Sequence, residues 1–261
     1  MKIDREKYTS HIKDNDKIIE MRRIIDKIEV VLTNHSFEST DFLDPYERLL
    51  AKSILNRFME INYLENGGII QAERQIINIY PDYYSEIDVP KDIICLRINV
   101  DTDGLSHKDF LGSILNLGIK RTKIGDILVH EGYADIIVKQ EISDFILFNL
   151  NRIKNTKVTV EEKSLDAISF VESEYKEISK ILSSYRLDVY ISAAYNLSRQ
   201  ESIDIIKSEY VKVNWEPINK SSKEIAVGDI VSVRGYGRSA LHSVEGISKK
   251  GKIKATIRIL I

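Results

Sequence analysis

From Gln75 to about Leu165 the apolar residues change period several times, and that alternation limits what the chain can fold into. Ile76–Tyr80 and Ile93–Val100 are dense in β-branched residues, as strands are. His107–Leu117 carries apolar residues at helical spacing and stops at Gly118. Asp126–Glu131 and Ala134–Lys139 flank Gly132-Tyr133 as the arms of a hairpin, and a helix near Glu141–Asn151 and a strand at Lys157–Glu161 follow. From Ile93 the predicted order is strand-helix-strand-strand-helix-strand, a small α/β layer with helices on one face.

The flanks are different. Up to about Glu73 the pattern is helical: Asp14 to His35 carries Ile18, Met21, Ile25, Ile28 and Val31 near a 3.6-residue stripe. A second helix is predicted from Asp44-Pro45-Tyr46-Glu47, an N-cap carboxylate followed by proline in the first turn. Its stripe runs through Leu49, Leu50, Ile54, Phe58 and Ile61 to a stop at Asn66-Gly67-Gly68. The last part opens with a possible strand at Ile178–Ser184, then two short helices, Leu187–Tyr195 and Arg199–Ser208. Strands are expected at Tyr210–Asn214, Ile230–Arg234, Leu241–Ile247 and Lys252–Leu260, the last with an apolar inner face and a basic outer one. The fold class is therefore α+β.

Composition narrows the function classes. Hydrophobic residues make up 43% and charged residues 30% of the 261, the balance of a soluble globular protein. No stretch has the apolar length of a membrane span, and MKIDREKY lacks the core of a secretory signal, so the expected compartment is the cytoplasm. The single cysteine, Cys95, sits among apolar neighbours and reads as a buried, inert thiol. Charge is uneven: Ile181 to Ile261 holds thirteen Lys/Arg against eight Asp/Glu, and the remainder holds 25 against 32. A basic C-terminal part on an acidic body points to an anionic partner for that end.

Candidate chemistry is sparse. Ser106-His107-Lys108-Asp109 offers a histidine and a carboxylate, but Ser106 and Asp109 have capping-box spacing and no nucleophile is nearby. The five histidines are scattered without metal-ligand spacing, so neither a metal nor a cofactor is expected. In Val231-Ser-Val-Arg-Gly-Tyr-Gly-Arg238 the glycines lead into a strand pattern, which excludes a phosphate loop opening a helix. What remains is a turn flanked by Arg234 and Arg238. Arg186 and Arg199 open the two short helices, and Lys207 and Lys212 follow, so one basic face is expected from all six. Lys120, Arg121 and Lys123 form a second basic run, read equally well as a helix C-terminal complement or as phosphate contacts.

Arg186-Leu187-Asp188, Ser198-Arg199, Val211-Lys212-Val213-Asn214, Val227-Gly228-Asp229 and Val233-Arg234-Gly235-Tyr236-Gly237-Arg238 stand in the order of the S-four RNA-binding domain; the resemblance covers roughly Ile178 to Arg238, and the domain is expected over 178–261. The resemblance implies that Arg186, Arg199, Lys207, Lys212, Arg234 and Arg238 contact structured RNA. Two positions depart from the common pattern: Glu209 replaces a usual glycine, and Trp215 follows Val-Asn where another is usual. Trp215 could be core or could stack on a base. Over most of its length the chain resembles the YlmH family, through Thr40-Asp41-Phe42-Leu43-Asp44-Pro45, Leu105-Ser106-His107-Lys108-Asp109-Phe110-Leu111-Gly112, Leu117-Gly118-Ile119-Lys120-Arg121 and Val213-Asn214-Trp215. The helical pattern marks an N-terminal region (1–74), and the likeness implies an RNA-recognition-like middle domain (75–165). Its predicted central strands lack aromatics, so its sheet is not expected to read bases by stacking.

The resemblance further implies a non-enzymatic monomer that binds ribosomal RNA and tRNA on the large ribosomal subunit, in quality control and rescue of obstructed peptidyl-tRNA. The alternative is an RNA-modifying enzyme, a pseudouridine synthase or methyltransferase, with the same domain as an appendage. In the pseudouridine synthase case Asp188 would be the nucleophile. The residues that follow it lack a small-residue turn, and a pairing with a nearby arginine fits better.

Overall fold

The computed structural model describes residues 3–171, 174–247 and 251–260. They form two units, Met1–Val171 and Glu172–Ile261. No helix among the described residues is long and apolar enough to cross a membrane.

The first unit begins with α1 (Arg5–Thr9) and α2 (Asn15–Asn34), followed by β1 (Glu38–Ser39), α3 (Pro45–Leu55), β2 (Ile61–Asn66) and β3 (Ile76–Pro81). Both longer helices start where the sequence places them. Asp14 accepts the backbone N–H of Asp16 at 2.9 Å, and Asp44 and Glu47 exchange backbone hydrogen bonds at 2.7 and 2.9 Å as a capping box. Met21, Ile25, Ile28, Ala51 and Ile54 then pack on the β1-β3-β2 sheet in one core.

Two expectations fail here. The second helix ends at Leu55, and Ile61–Asn66 is a strand; Leu49, placed on the apolar stripe, is exposed. Strand β3, grouped by its sequence with the middle part, pairs instead with β1 and β2. The reason is the same in both cases. Every residue of β3 is buried, so its backbone groups need partners on both sides, and β2 supplies one of them. Phe58 and Ile61 are buried as the helical stripe requires, but in a turn and a strand.

The rest of the unit is β4 (Ile93–Asn99), α4 (His107–Leu115), β5 (Ile124–His130), β6 (Tyr133–Lys139), α5 (Ser143–Asn149), a small β7 (Arg152–Ile153) and β8 (Thr156–Lys157) pair, and β9 (Thr159–Lys163). The four long strands form an antiparallel sheet in the order β5-β6-β4-β9. The two helices cover one face through Phe110, Ile114 and Ile146 against Leu96, Ile98 and Ile136. Asp109 accepts from the backbone N–H and hydroxyl of Ser106, both at 2.8 Å, and pairs with Lys154 at 3.0 Å. Those contacts, the backbone hydrogen bond foremost, pull its carboxyl down to about 2, so the motif is a helix cap. Cys95 is buried and its thiol is pushed up to about 12 by desolvation, an inert group as its neighbours suggested.

The other face of this sheet is partly covered by the N-terminal elements. Phe42 is fully buried among Ile76, Ile93 and Ile137, worth about 2 kcal/mol for the ring alone. It lies so near Gly125 that any Cβ there would fall 2.7 Å from the ring. Asp126 accepts from the backbone N–H groups of Glu73 and Arg74 at 2.6 and 3.0 Å, and Phe42 donates its N–H to Thr122 O at 2.8 Å.

The second unit contains β10 (Tyr175–Leu182), α6 (Leu187–Tyr195), α7 (Arg199–Lys207), β11 (Val211–Val213), β12 (Glu216–Pro217), β13 (Ile230–Val233), β14 (Gly237–Ile247) and β15 (Ile253–Leu260). Its sheet is antiparallel throughout, in the order β10-β15-β14-β13-β11-β12. Leu187, Tyr190, Ile191 and Ile206 of the helices pack on Val211, Val231, Leu241 and Ile257 of the strands. The strand at β10 is as expected from the alternation, begun three residues earlier.

Candidate nucleic-acid interface

In the second unit the helix starts decide where the first two arginines go. Asp188, in the first turn of α6, is wholly buried. A buried carboxylate needs charged partners to stay ionised. Arg186 donates from Nε to Asp188 Oδ1 at 2.9 Å and from Nη2 to Oδ2 at 3.3 Å, and Arg199 donates from Nε to Oδ2 at 2.9 Å. Burial alone would raise this carboxyl; the hydrogen bonds and charges of the two arginines outweigh it and hold it below the usual carboxylate range. The trio carries one net positive charge and ties α6 to α7. Asp188, the carboxylate a pseudouridine-synthase reading would use, is thus buried and paired with both arginines. Arg199 still exposes 60% of its side chain.

A second group of cations is held differently. Lys207 ends α7 and Lys212 is the middle residue of β11; both are exposed, and neither makes an ion pair among the described residues. Lys212 lies opposite Ser232, and Ser232 opposite Arg238, so these three share one face of the sheet. The turn between β13 and β14 is Arg234-Gly235-Tyr236, closed by Tyr236 N–H on Val233 O at 3.0 Å. Gly235 and Gly237 stand at φ 86° and 97°, which glycine adopts without strain. The Arg234 guanidinium lies 5.1 Å from the Tyr210 ring centroid, and that of Arg238 lies 5.5 Å from the Trp215 ring centroid. An aromatic face positions a cation without cancelling its charge.

Trp215 occupies an unfavourable backbone position. With Asn214 it forms the two-residue turn between Val213 and Glu216, at φ 48° and 67°. Such a turn favours glycine in its second position, and a bulky residue there is strained. The indole is half-buried and stands outside the apolar core of the unit. Glu209, the other departure, takes φ 60° where glycine would be free. On β15, Lys254 pairs with Glu245 at 2.5 Å and Arg258 with Glu177 at 2.8 Å, so the outer face predicted to be basic is largely matched by acids.

Comparison with known proteins matches three consecutive family models: the N-terminal part of YlmH (residues 16–84), the candidate RNA-binding domain in YlmH (92–167) and the S4 domain (186–231). The chain belongs to the YlmH family. "Ribosome-associated protein quality control protein P2" of Bacillus subtilis is 29% identical over 243 residues, 92% of each chain. "Mitochondrial transcription rescue factor 1" of Mus musculus is 24% identical over 101 residues, 39% of this chain and 38% of that one. Among solved structures, "Cell division protein ylmH from Streptococcus pneumoniae" matches with a TM-score of 0.50 at 25% identity, over 60% of this chain and 97% of that one.

The YlmH chain places its other basic run, Lys120, Arg121 and Lys123, in the first unit, in the turn before β5. Lys123 bridges Asp41 at 2.6 Å and Glu141 at 2.5 Å. Desolvation opposes its charge, but the two carboxylates prevail and its pKa is raised. This lysine therefore ties the N-terminal elements to the middle sheet. Arg121 donates to the carbonyls of Ile124 and Gly125, and Lys120 is exposed. One aromatic also escaped the sequence. Strand β6 opens one residue earlier than predicted, at Tyr133, opposite Asn99 on the central strand. His130 stacks on its ring at 4.4 Å and the Arg97 guanidinium lies 4.0 Å from the ring centroid. Both groups therefore pack on the Tyr133 ring from within the chain. Arg97 is itself held by two 2.7 Å hydrogen bonds to Asp135, which is fully buried.

Proposed function

We propose that this YlmH-family chain is a non-catalytic RNA-binding factor that grips ribosomal RNA and tRNA on the large ribosomal subunit, as a cytoplasmic monomer, in ribosome-associated quality control. The name of the Bacillus subtilis relative supports the process, and the S4 domain supports the ligand. The observation that carries the reading is the set of exposed Lys207, Lys212 and Arg234 with half-buried Arg238, two of its guanidiniums lying on the aromatic faces of Tyr210 and Trp215. Such a surface meets phosphates through charge and an RNA strand through its shape. Arg186 and Arg199 act at its edge, positioned by Asp188, with Arg199 the more available. The acidic remainder of the chain faces protein or solvent.

The test is charge reversal of Lys212→Glu with Arg234→Glu in the full chain, read by co-sedimentation with purified large ribosomal subunits. The account expects the double variant to stay in the supernatant while its far-UV circular dichroism is unchanged. Wild-type co-sedimentation by this variant would falsify it.

A further inference from the structure

The turn between β13 and β14 presents an aromatic side chain that the fold around it does not use. Tyr210 and Trp215 each hold a guanidinium on the ring face, but no cation lies on the ring of Tyr236 among the described residues. Tyr236 is 46% exposed and takes no part in the apolar core of the unit. Beyond the chain neighbours of Gly235 and Gly237, nothing lies within 4 Å of where a Cβ would stand, so the tip of the turn is open.

The ring is nevertheless held in place. Tyr236 N–H closes the turn on Val233 O at 3.0 Å, and the ring meets that of Tyr195, the last residue of α6, at 5.7 Å with an interplanar angle of 55°. That contact is tilted and is no face-to-face stack. Tyr195 is fixed in turn: its hydroxyl donates to Gly237 O at 3.1 Å and lies 3.1 Å from Ser239 Oγ, to which buried Tyr190 donates at 3.0 Å. Burial raises both phenols above the ordinary tyrosine value, so both stay protonated. A chain of hydroxyls thus runs from the core to the tip. An aromatic ordered in advance loses little entropy when a partner settles on it.

We propose that Tyr236 is a stacking platform for one unpaired nucleobase of the bound RNA. Every base has a π-face, so a tyrosine ring accepts one whatever the sequence. The flank decides the occupant. Arg234, two residues before Tyr236, is exposed and makes no ion pair among the described residues. An apolar side chain of a protein would gain nothing from that cation, whereas a base brings its own phosphate to it. The assignment deepens the RNA-binding reading and rests on it. It adds that the surface meets RNA where a strand leaves its helix, at a loop, a bulge or an end, because only there is a base face open.

The test uses the full chain and fluorescence anisotropy with two RNAs that share one stem, a stem-loop and a blunt-ended duplex, over a series of KCl concentrations. Tyr236→Ala is expected to bind the stem-loop roughly tenfold more weakly and the duplex as the wild type does. The slope of log affinity against log salt should stay the same, because no charge is removed. Tyr236→Phe keeps the wild-type affinity for the stem-loop, since it keeps the ring. Wild-type affinity of Tyr236→Ala for the stem-loop overturns the platform. Equal weakening on both RNAs overturns it as well, and makes Tyr236 a support of the turn. A wild-type chain that binds neither RNA nor ribosomes overturns the underlying RNA reading instead, a result distinct from both.

Discussion

The middle sheet and the C-terminal sheet use the same pieces to opposite ends. On the middle sheet Arg97 lies over Tyr133, but its charge is cancelled by buried Asp135, and His130 stacks on the same ring. On the C-terminal sheet Arg234 lies over Tyr210 and makes no ion pair among the described residues. The two lysines divide the same way: Lys123 sits between Asp41 and Glu141, whereas Lys212 stands exposed on its strand. Cations that find carboxylates from the same chain build the fold. Those that find only aromatic faces stay charged toward solvent.

The comparison breaks first at Arg97. Arg97→Ala leaves Asp135 buried without its partner, and a loss of about 3–5 kcal/mol in chemical denaturation is expected. RNA affinity of the folded fraction should be unchanged. A loss below about 1 kcal/mol would mean that the pair is not structural. Charge reversal at Lys212 and Arg234 should invert that result, with unfolding free energy moved by no more than about 0.5 kcal/mol and RNA binding lost.

Trp215→Gly sharpens the division further. Glycine relieves the left-handed strain at φ 67°, so stability should move by less than about 1 kcal/mol. If the indole meets a base, RNA affinity falls by about 1–3 kcal/mol, measurable by anisotropy. A large loss of stability with affinity kept would make Trp215 a packing residue.

The smallest effect concerns Asp188. Its pKa is lowered in the folded chain from an ordinary 3.8, so its clamp contributes stability that is fully present above that value and is lost as pH falls through the lowered one. The wild type should therefore be more stable than Asp188→Asn near neutral pH, by roughly 1–2 kcal/mol given the solvent around both arginines. That advantage should vanish in acid titrations that pass well below 3.8. An advantage that persists there would assign the stabilisation to packing.

What the sequence made legible was local. Asp44 with Glu47 and Ser198 with Glu201 announce their helices because a cap is built within four residues. The alternation of Ile253, Ala255 and Ile257 announces β15 for the same reason. What stayed hidden depended on distant partners. Ile61–Asn66 looks helical until β3 is there to pair with it, and Lys123 looks free until Asp41 and Glu141 arrive from either side in the chain. The candidate site was legible as a set of cations on the right elements. Which of them are neutralised was not, because Asp188, two residues from Arg186, also captures Arg199 through the fold. Tyr133 was missed by one residue of strand boundary.

The most direct measurement is a cryo-EM reconstruction of the tagged chain on native ribosomal complexes. RNA phosphate oxygens should lie about 3 Å from the side-chain nitrogens of Lys207, Lys212, Arg234 and Arg238, with no base stacked on Tyr133. RNA bound across the middle sheet, with those four side chains facing open solvent, would contradict the account.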